Sequence, residues 1–302
     1  MQTLKVVIKP LSSFSTTIHS DTLFGAFCWN YLDKYGADKL KKILDCNAVV
    51  FSNIFPEGYL PCPIIPNGNK VVSSVKEYAS IKKLKKIRYL PISCFQDQLS
   101  INKLLSLKET LIDSVPLESK DQVVVRNAID RNTGTGLSGA LFSDSETFYK
   151  ENTSLCFYVR FNENVLLKEE VTEVVKLLTL FGIGKDKSTG KGSFEKQSIN
   201  ESDLPLYKGE KHFISLSNGL PDDACELEYG KLITKYSKHG RGSLFRKNPV
   251  QLYVEGSLFK ITEPKDYYGT YLDNVSLQIG HKHHACLFPM FIDIDLSMGK
   301  FV

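Results

Sequence analysis

The segment Phe181-Gly182-Ile183-Gly184-Lys185-Asp186-Lys187-Ser188-Thr189-Gly190-Lys191-Gly192 constrains this chain more than any other. It gathers four glycines, three lysines, a serine and a threonine into twelve residues. Glycines let a backbone take positive φ and leave room for a ligand to approach the amides. Successive exposed N–H groups make an anion-binding concavity, and lysines add attraction at longer range. The chemistry on offer is recognition of phosphate. The plainer alternative is a flexible helix-to-strand loop.

A mononucleotide P-loop is excluded by spacing and by order. The pattern G-x-x-x-x-G-K-[ST] follows a strand and opens a helix. Here five residues separate Gly184 from Gly190-Lys191, and Gly192 stands where a hydroxyl would hold magnesium. Leu167, Val171, Val174, Val175, Leu178 and Phe181 recur at helical spacing, so the loop follows a helix over 167–181, with Gly182 as its stop. A dinucleotide fingerprint fails as well, because position 187 is not glycine.

The remaining chain reads as α+β. Residues 3–9 form a first strand before Pro10, followed by a Ser/Thr-rich loop over 11–19. Ser20 or Asp21 then caps a helix running to Tyr35, closed by Gly36. Its stripe is Leu23, Phe24, Phe27, Cys28, Tyr31 and Leu32, and Gly25 allows close packing. A strand and turn region occupies 45–66. The helix 167–181 and a strand at 193–199 complete what looks like a split βαβ, ferredoxin-like unit. Residues 121–149 place a polar glycine-containing tip between strand-like flanks, which predicts a projecting hairpin or a surface loop. Strands are expected again at 212–217, 224–236, 249–254, 271–279 and 285–294, giving two domains, 1–205 and 206–302.

Charge enters locally. The net charge is only +4, so a nucleic-acid site must be a patch rather than a global field. Residues 76–90 form a basic amphipathic segment, a solvated helix face or a contact for RNA or an acidic partner. Gly240-Arg241-Gly242 and Arg246-Lys247 read as a basic hairpin tip. Seven scattered cysteines without a C-x-x-C argue for reduced thiols and a cytoplasmic location. There is no signal-peptide core and no apolar run long enough for a bilayer. His281, His283 and His284 cluster near the end, with Cys286 their one candidate companion for a metal; the spacing is poor, and neither a metal nor a cofactor is expected.

Catalytic patterns are thin. His19 is the one histidine near the amino terminus. It could act as a general acid or base in metal-free RNA cleavage, or order its loop and bind a phosphate oxygen.

Three motifs, near 12–29, 126–136 and 181–194, resemble the RAMP superfamily of CRISPR proteins. The string Gly182 to Phe194 fits that superfamily's Gly-φ-Gly-x-x-x-Ser-Thr-Gly-x-Gly-x-Phe signature before a strand. The opening His19-Ser20-Asp21-Thr22-Leu23-Phe24-Gly25-Ala26 and the segment Arg126-Asn127-Ala128-Ile129-Asp130-Arg131 look more narrowly like the Cas5-like subunits of type III-A (Csm) effector complexes. The resemblance implies two ferredoxin-like (RRM-like) domains facing one another, with a thumb hairpin at 121–149 and the Gly-rich loop 182–192 at their junction. It implies a non-catalytic protein that grips the repeat-derived 5′ tag of CRISPR RNA. Its partners would be the large polymerase-domain subunit and an adjacent backbone RAMP subunit, with target RNA met indirectly. Gly182, Gly184, Lys185, Lys187, Ser188, Thr189, Gly190, Lys191 and Gly192 would contact tag phosphates. Ser13, His19 and Ser20 would lie near tag nucleotides, and Arg126, Asn127 and Arg131 on the thumb, with the two arginines on its stem. No RNP-type aromatic string is present, so the stacking residues are not identified. An endoribonuclease using His19, or a guide-binding scaffold indifferent to the tag, are the competing functions.

Overall fold

The computed structural model describes residues 1–65, 87–111, 119–205, 211–237, 247–273 and 282–296. The basic segment 76–90 up to residue 86, the tip Gly240 to Arg246 and His281 lie outside them. Strand Gln2–Pro10 is followed by helices Ser20–Tyr35 and Ala37–Asp45 and strand Val49–Phe51. Strand Leu155–Phe161, helix Lys168–Phe181 and strand Phe194–Glu201 come later. The four strands form one antiparallel sheet in the order 194–201, 2–10, 155–161, 49–51, with Phe55–Pro56 also pairing on 155–161. In chain order this is fourth, first, third, second, the split βαβ arrangement.

Five consecutive residues of the first strand, Leu4 to Ile8, are buried. The reason is a second layer. Phe157 packs on Phe51, which meets Phe27 of the first helix. Tyr158 and Arg160, on the opposite face of the same strand, meet Phe288 from the carboxy-terminal sheet. A sheet covered on both faces reads as a continuous apolar run, and each buried Phe contributes about 1.5–3 kcal/mol. Lys5 is buried in that run, and its ammonium pairs with Asp203 at 2.7 Å. Helix 168–181 is tied to helix 20–35 by Lys34–Glu173 at 2.5 Å and by a Tyr35 hydroxyl donating to Glu173 at 2.6 Å, and to helix 37–45 by Lys39–Glu170 at 3.0 Å.

The carboxy-terminal sheet is antiparallel, in the order 225–229, 258–261, 212–215, 289–292. Strand Leu258–Ile261 was not anticipated; it is short and directly follows the turn at Gly256. Ile214, Leu258, Phe288, Met290 and Ile292 belong to the same buried cluster as Leu4, Phe27 and Val174. Phe213 stacks on Tyr268 at 4.5 Å and on Phe259 at 5.2 Å in a smaller satellite cluster. No described helix is long and apolar enough to cross a membrane.

The hairpin expected at 121–149 is formed by strands Ser119–Ile129 and Gly136–Tyr149. Their register runs from Ser119 opposite Tyr149 to Ile129 opposite Gly136, a ribbon roughly 35 Å long at the usual rise per residue. Among the described residues, apart from a bridge between Phe14 and Thr147, its strands pair only with each other. Val123, Val125, Ile129, Leu141 and Phe142 are exposed along it.

Two local expectations are corrected. The first helix is not capped by a Ser20 or Asp21 side chain: His19 occupies the cap position in extended conformation, and Ser20 is the first helical residue. Phe181, placed by periodicity on the buried stripe of its helix, is exposed, whereas Val171, Val174, Val175 and Leu178 are buried.

Candidate nucleic-acid interface

Gly182 ends the helix with φ +66° and donates its N–H to the Leu178 carbonyl at 3.0 Å. The chain then turns back on itself: Ile183 N–H donates to the Gly192 carbonyl at 2.9 Å. A Cβ on Gly192 would stand 1.9 Å from the Ile183 carbonyl oxygen, so only glycine fits where the two arms cross. Between them Asp186 takes a left-handed φ of +61°, and Lys187–Thr189 form a 3-10 turn closed by Gly190 at φ +84°. Thr189 commits its hydroxyl to the Asp186 carbonyl at 2.8 Å. Lys185, Lys187, Ser188, Thr189 and Gly190 are exposed. Among the described residues Lys187 forms no ion pair.

The amino-terminal loop holds this turn from one side. Gly192 N–H donates to the Ser13 carbonyl at 2.9 Å, Ser193 N–H to the Ser12 hydroxyl at 2.9 Å, and Leu11 N–H to the Ser193 carbonyl at 3.0 Å. The hairpin holds it from the other, through charge. Glu146, buried on the hairpin, accepts from the Ser13 hydroxyl at 2.7 Å, from Lys191 Nζ at 2.7 Å and from Arg126 at 2.5 Å. Arg126 lies opposite Phe142 and so reaches back toward the hairpin base to meet Glu146. Its other terminal nitrogen donates to Asp186 at 3.0 Å, and Lys185 pairs with Asp144. Lys191, Ser13 and Arg126 together hold the Glu146 carboxyl at about 2, against the cost of burying it. The bond to Glu146 raises the Arg126 guanidinium in turn.

The site therefore gathers Ser13, Arg126, Lys185, Lys191 and the four glycines of the 182–192 loop. Asp144, Asp186 and Glu146 are the residues that sequence reasoning missed. Arg126, Asp144 and Glu146 share one face of the hairpin at alternate positions, a signal readable only once the strand register is known. Asn127 is exposed on the hairpin, opposite Leu141. Arg131 is exposed in the turn beyond the last paired residues and not on the stem.

His19 and Ser20 lie at the other end of the amino-terminal loop, in a separate polar cluster. Ser20 is fully buried; its N–H donates to Asn53 at 2.8 Å, and its hydroxyl meets the backbone of Asn218. His19 Nδ1 is 2.7 Å from Lys235 Nζ, which also pairs with Asp21 at 3.2 Å. Burial and the Lys235 charge push the His19 imidazole down to about 4. Although burial opposes it, Lys235 holds the Asp21 carboxyl below its ordinary value. His283 and His284 are buried beside this cluster, and burial lowers them to about 4 and about 3. His284 Nε2 accepts from Phe51 N–H at 3.3 Å. Among the described residues no group of three or more His, Cys, Asp or Glu could hold a metal ion.

The solved structures most like this one include a crystal structure of a Csm1–Csm4 cassette with AMPPNP. Its matching chain is 21% identical, covers 99% of this chain and 100% of its own, and has a TM-score of 0.64. A chain of a Csm3–Csm4 subcomplex of a type III-A CRISPR-Cas interference complex is 20% identical, covers 96% and 99%, and has a TM-score of 0.58. In sequence, the CRISPR system Cms protein Csm4 of Methanocaldococcus jannaschii is 24% identical over 279 residues, with 72% of each chain covered. The sequence matches the RAMP superfamily over residues 11–195, a span that takes in the amino-terminal loop, the hairpin and the glycine-rich turn they enclose, and the chain belongs to that superfamily.

Proposed function

We propose that this chain is the RNA-holding, non-catalytic RAMP subunit of a type III-A CRISPR interference complex, and that it grips the repeat-derived 5′ tag of CRISPR RNA. The observation that carries the reading is the glycine-rich turn. It presents Lys187, Ser188, Thr189 and Gly190 to solvent on a backbone locked between the amino-terminal loop and the hairpin. An exposed Lys187 ammonium and an exposed Ser188 on a rigid turn suit a phosphodiester backbone, which is how single-stranded RNA is commonly positioned. The two sheets then act as two RRM-like halves, and the hairpin 119–149 as a thumb whose exposed Val, Leu and Phe side chains lie beside the guide.

Similarity to Csm4 proteins solved with Csm1 and with Csm3 favours a large polymerase-domain subunit and a backbone RAMP subunit as neighbours. The non-catalytic reading is supported by His19. An imidazole held near 4 is uncharged at pH 7, too weak a base for efficient proton abstraction, and its Nδ1 is engaged with Lys235.

The test mixes the purified chain with end-labelled RNA carrying a repeat-derived 5′ tag, or a scrambled one, in EDTA on native and denaturing gels. A tag-preferring shift without cutting is expected. Metal-independent cutting that disappears in His19→Ala would make the chain a processing nuclease. Equal shifts for both RNAs, uncut, would make it a general guide scaffold.

A further inference from the structure

We propose that Asp144 and Asp186 set the RNA selectivity of this site by occupying its cations until a cognate RNA displaces them. The inference rests on the RNA-binding reading above and concerns how that site discriminates. Around the turn, Arg126, Lys185 and Lys191 face Asp144, Asp186 and Glu146, three cations against three carboxylates. A scrambled polyanion therefore meets a locally neutral surface, with Lys187 as its unpaired exception.

The three carboxylates differ in kind. Glu146 has a side chain 1% exposed and takes three hydrogen bonds, one of them from Ser13, so it anchors the hairpin to the amino-terminal loop. Asp144 and Asp186 stand at the rim, 17% and 24% exposed. Asp144 holds Lys185, whose side chain is 42% exposed and can swing to a phosphate. Asp186 holds one nitrogen of Arg126 while the other stays on Glu146, so the guanidinium can change partners at one end without leaving the protein. A phosphate oxygen replaces a carboxylate oxygen with the same charge-assisted geometry. That exchange is close to balanced, so backbone phosphates alone gain little from it. An RNA that also makes base contacts tips it. The two aspartates thus trade general affinity for discrimination, as repulsive elements do at selective interfaces.

The experiment compares full-length wild type with Asp144→Asn/Asp186→Asn in binding to tag-bearing and scrambled RNA, in EDTA at fixed salt. Asn keeps the shape of both side chains and tolerates the left-handed backbone at 186. The expected result is scrambled RNA bound roughly ten-fold tighter by the variant, tag RNA by a smaller factor, and a reduced ratio between them. Asp144→Glu, which keeps the charge, should retain the wild-type ratio. Thermal melting reports whether each variant folds. Unchanged or weaker binding of scrambled RNA by a folded Asn variant overturns the proposal, even if Lys187→Ala still weakens binding and so keeps the turn as an RNA contact. If Lys187→Ala is silent too, the RNA-binding reading fails and this inference with it.

Discussion

The loop 11–19 ends in two polar clusters built around a carboxylate, and they differ in what the carboxylate does. At the Ser13 end, Glu146 gathers a hydroxyl and two cations and fastens the glycine-rich turn to the hairpin. At the Ser20 end, Asp21 and His19 share the single cation Lys235 beneath the start of the first helix. The first cluster borders the exposed residues 187–190; the second bonds to itself and to Asn53 and Asn218. The lesson is that proximity in sequence to a conspicuous histidine is a poor guide to the binding surface. On the proposed reading the residues that meet RNA border the turn, and they come from three separated stretches of chain.

The sharpest way to break this comparison is at the crossing of the turn. Gly192→Ala places a methyl 1.9 Å from the Ile183 carbonyl, with φ at +65°, and should cost about 3 kcal/mol or more, with loss of RNA binding. Gly190→Ala has open space around it and only the left-handed backbone to resist, at about 1–2 kcal/mol. Thermal unfolding of the pair separates a steric requirement from a conformational one; equal losses would mean that the arms do not cross as described.

Next in size is Glu146→Gln, which removes the charge shared by Arg126 and Lys191 and leaves one oxygen to accept where there were two. The Glu146 carboxyl is lowered from 4.5 to about 2 in the fold, so its contribution is complete above pH 4.5 and is lost as pH falls through 2. The difference in melting temperature between wild type and Glu146→Gln should be constant above pH 5 and shrink toward pH 2. A difference that does not change with pH would contradict the network.

Lys187→Ala should weaken RNA binding several-fold and lower the salt slope by about 1, with no change in melting temperature. His19→Ala should have the smallest effect, because Lys235 keeps Asp21 as a partner. With His19 near 4 instead of 6.5, its protonation state is fixed from pH 6 to 8, and RNA binding should be flat there. On acidification from 6.5 toward 4 the unfolded chain takes the proton first, so the His19-borne part of stability falls. A binding step centred near pH 6.5 that vanishes in His19→Ala would bring this histidine back as an active participant.

Much of this was legible in the chain itself. The helix before the turn follows from Val171, Val174, Val175 and Leu178 at helical spacing and from Gly182 after them, and the first strand and first helix appear within a residue or two of where they were expected. The hairpin follows from a glycine-bearing tip between β-forming flanks. What could not be read depends on tertiary pairing. The balancing acids Asp144, Asp186 and Glu146 become partners of Arg126, Lys185 and Lys191 only through strand register and loop closure. Phe181 followed the stripe of its helix but is its last residue and is exposed. Ser20 looked like a cap; the Asn53 and Asn218 groups that claim it are supplied from elsewhere in the chain.

The placement of the first strand carries a consequence for biosynthesis. Residues 2–10 bond to 155–161 on one edge and to 194–201 on the other. A ribosome releases this strand long before either neighbour exists, and its five consecutive inward-facing positions wait without a template while well over a hundred residues are added. Non-local pairing of this kind is slow and exposes unfinished edges to other chains. Truncations that stop before residue 155 should therefore yield aggregating polypeptide and not a smaller folded unit, and soluble expression should return only when the chain extends past 201.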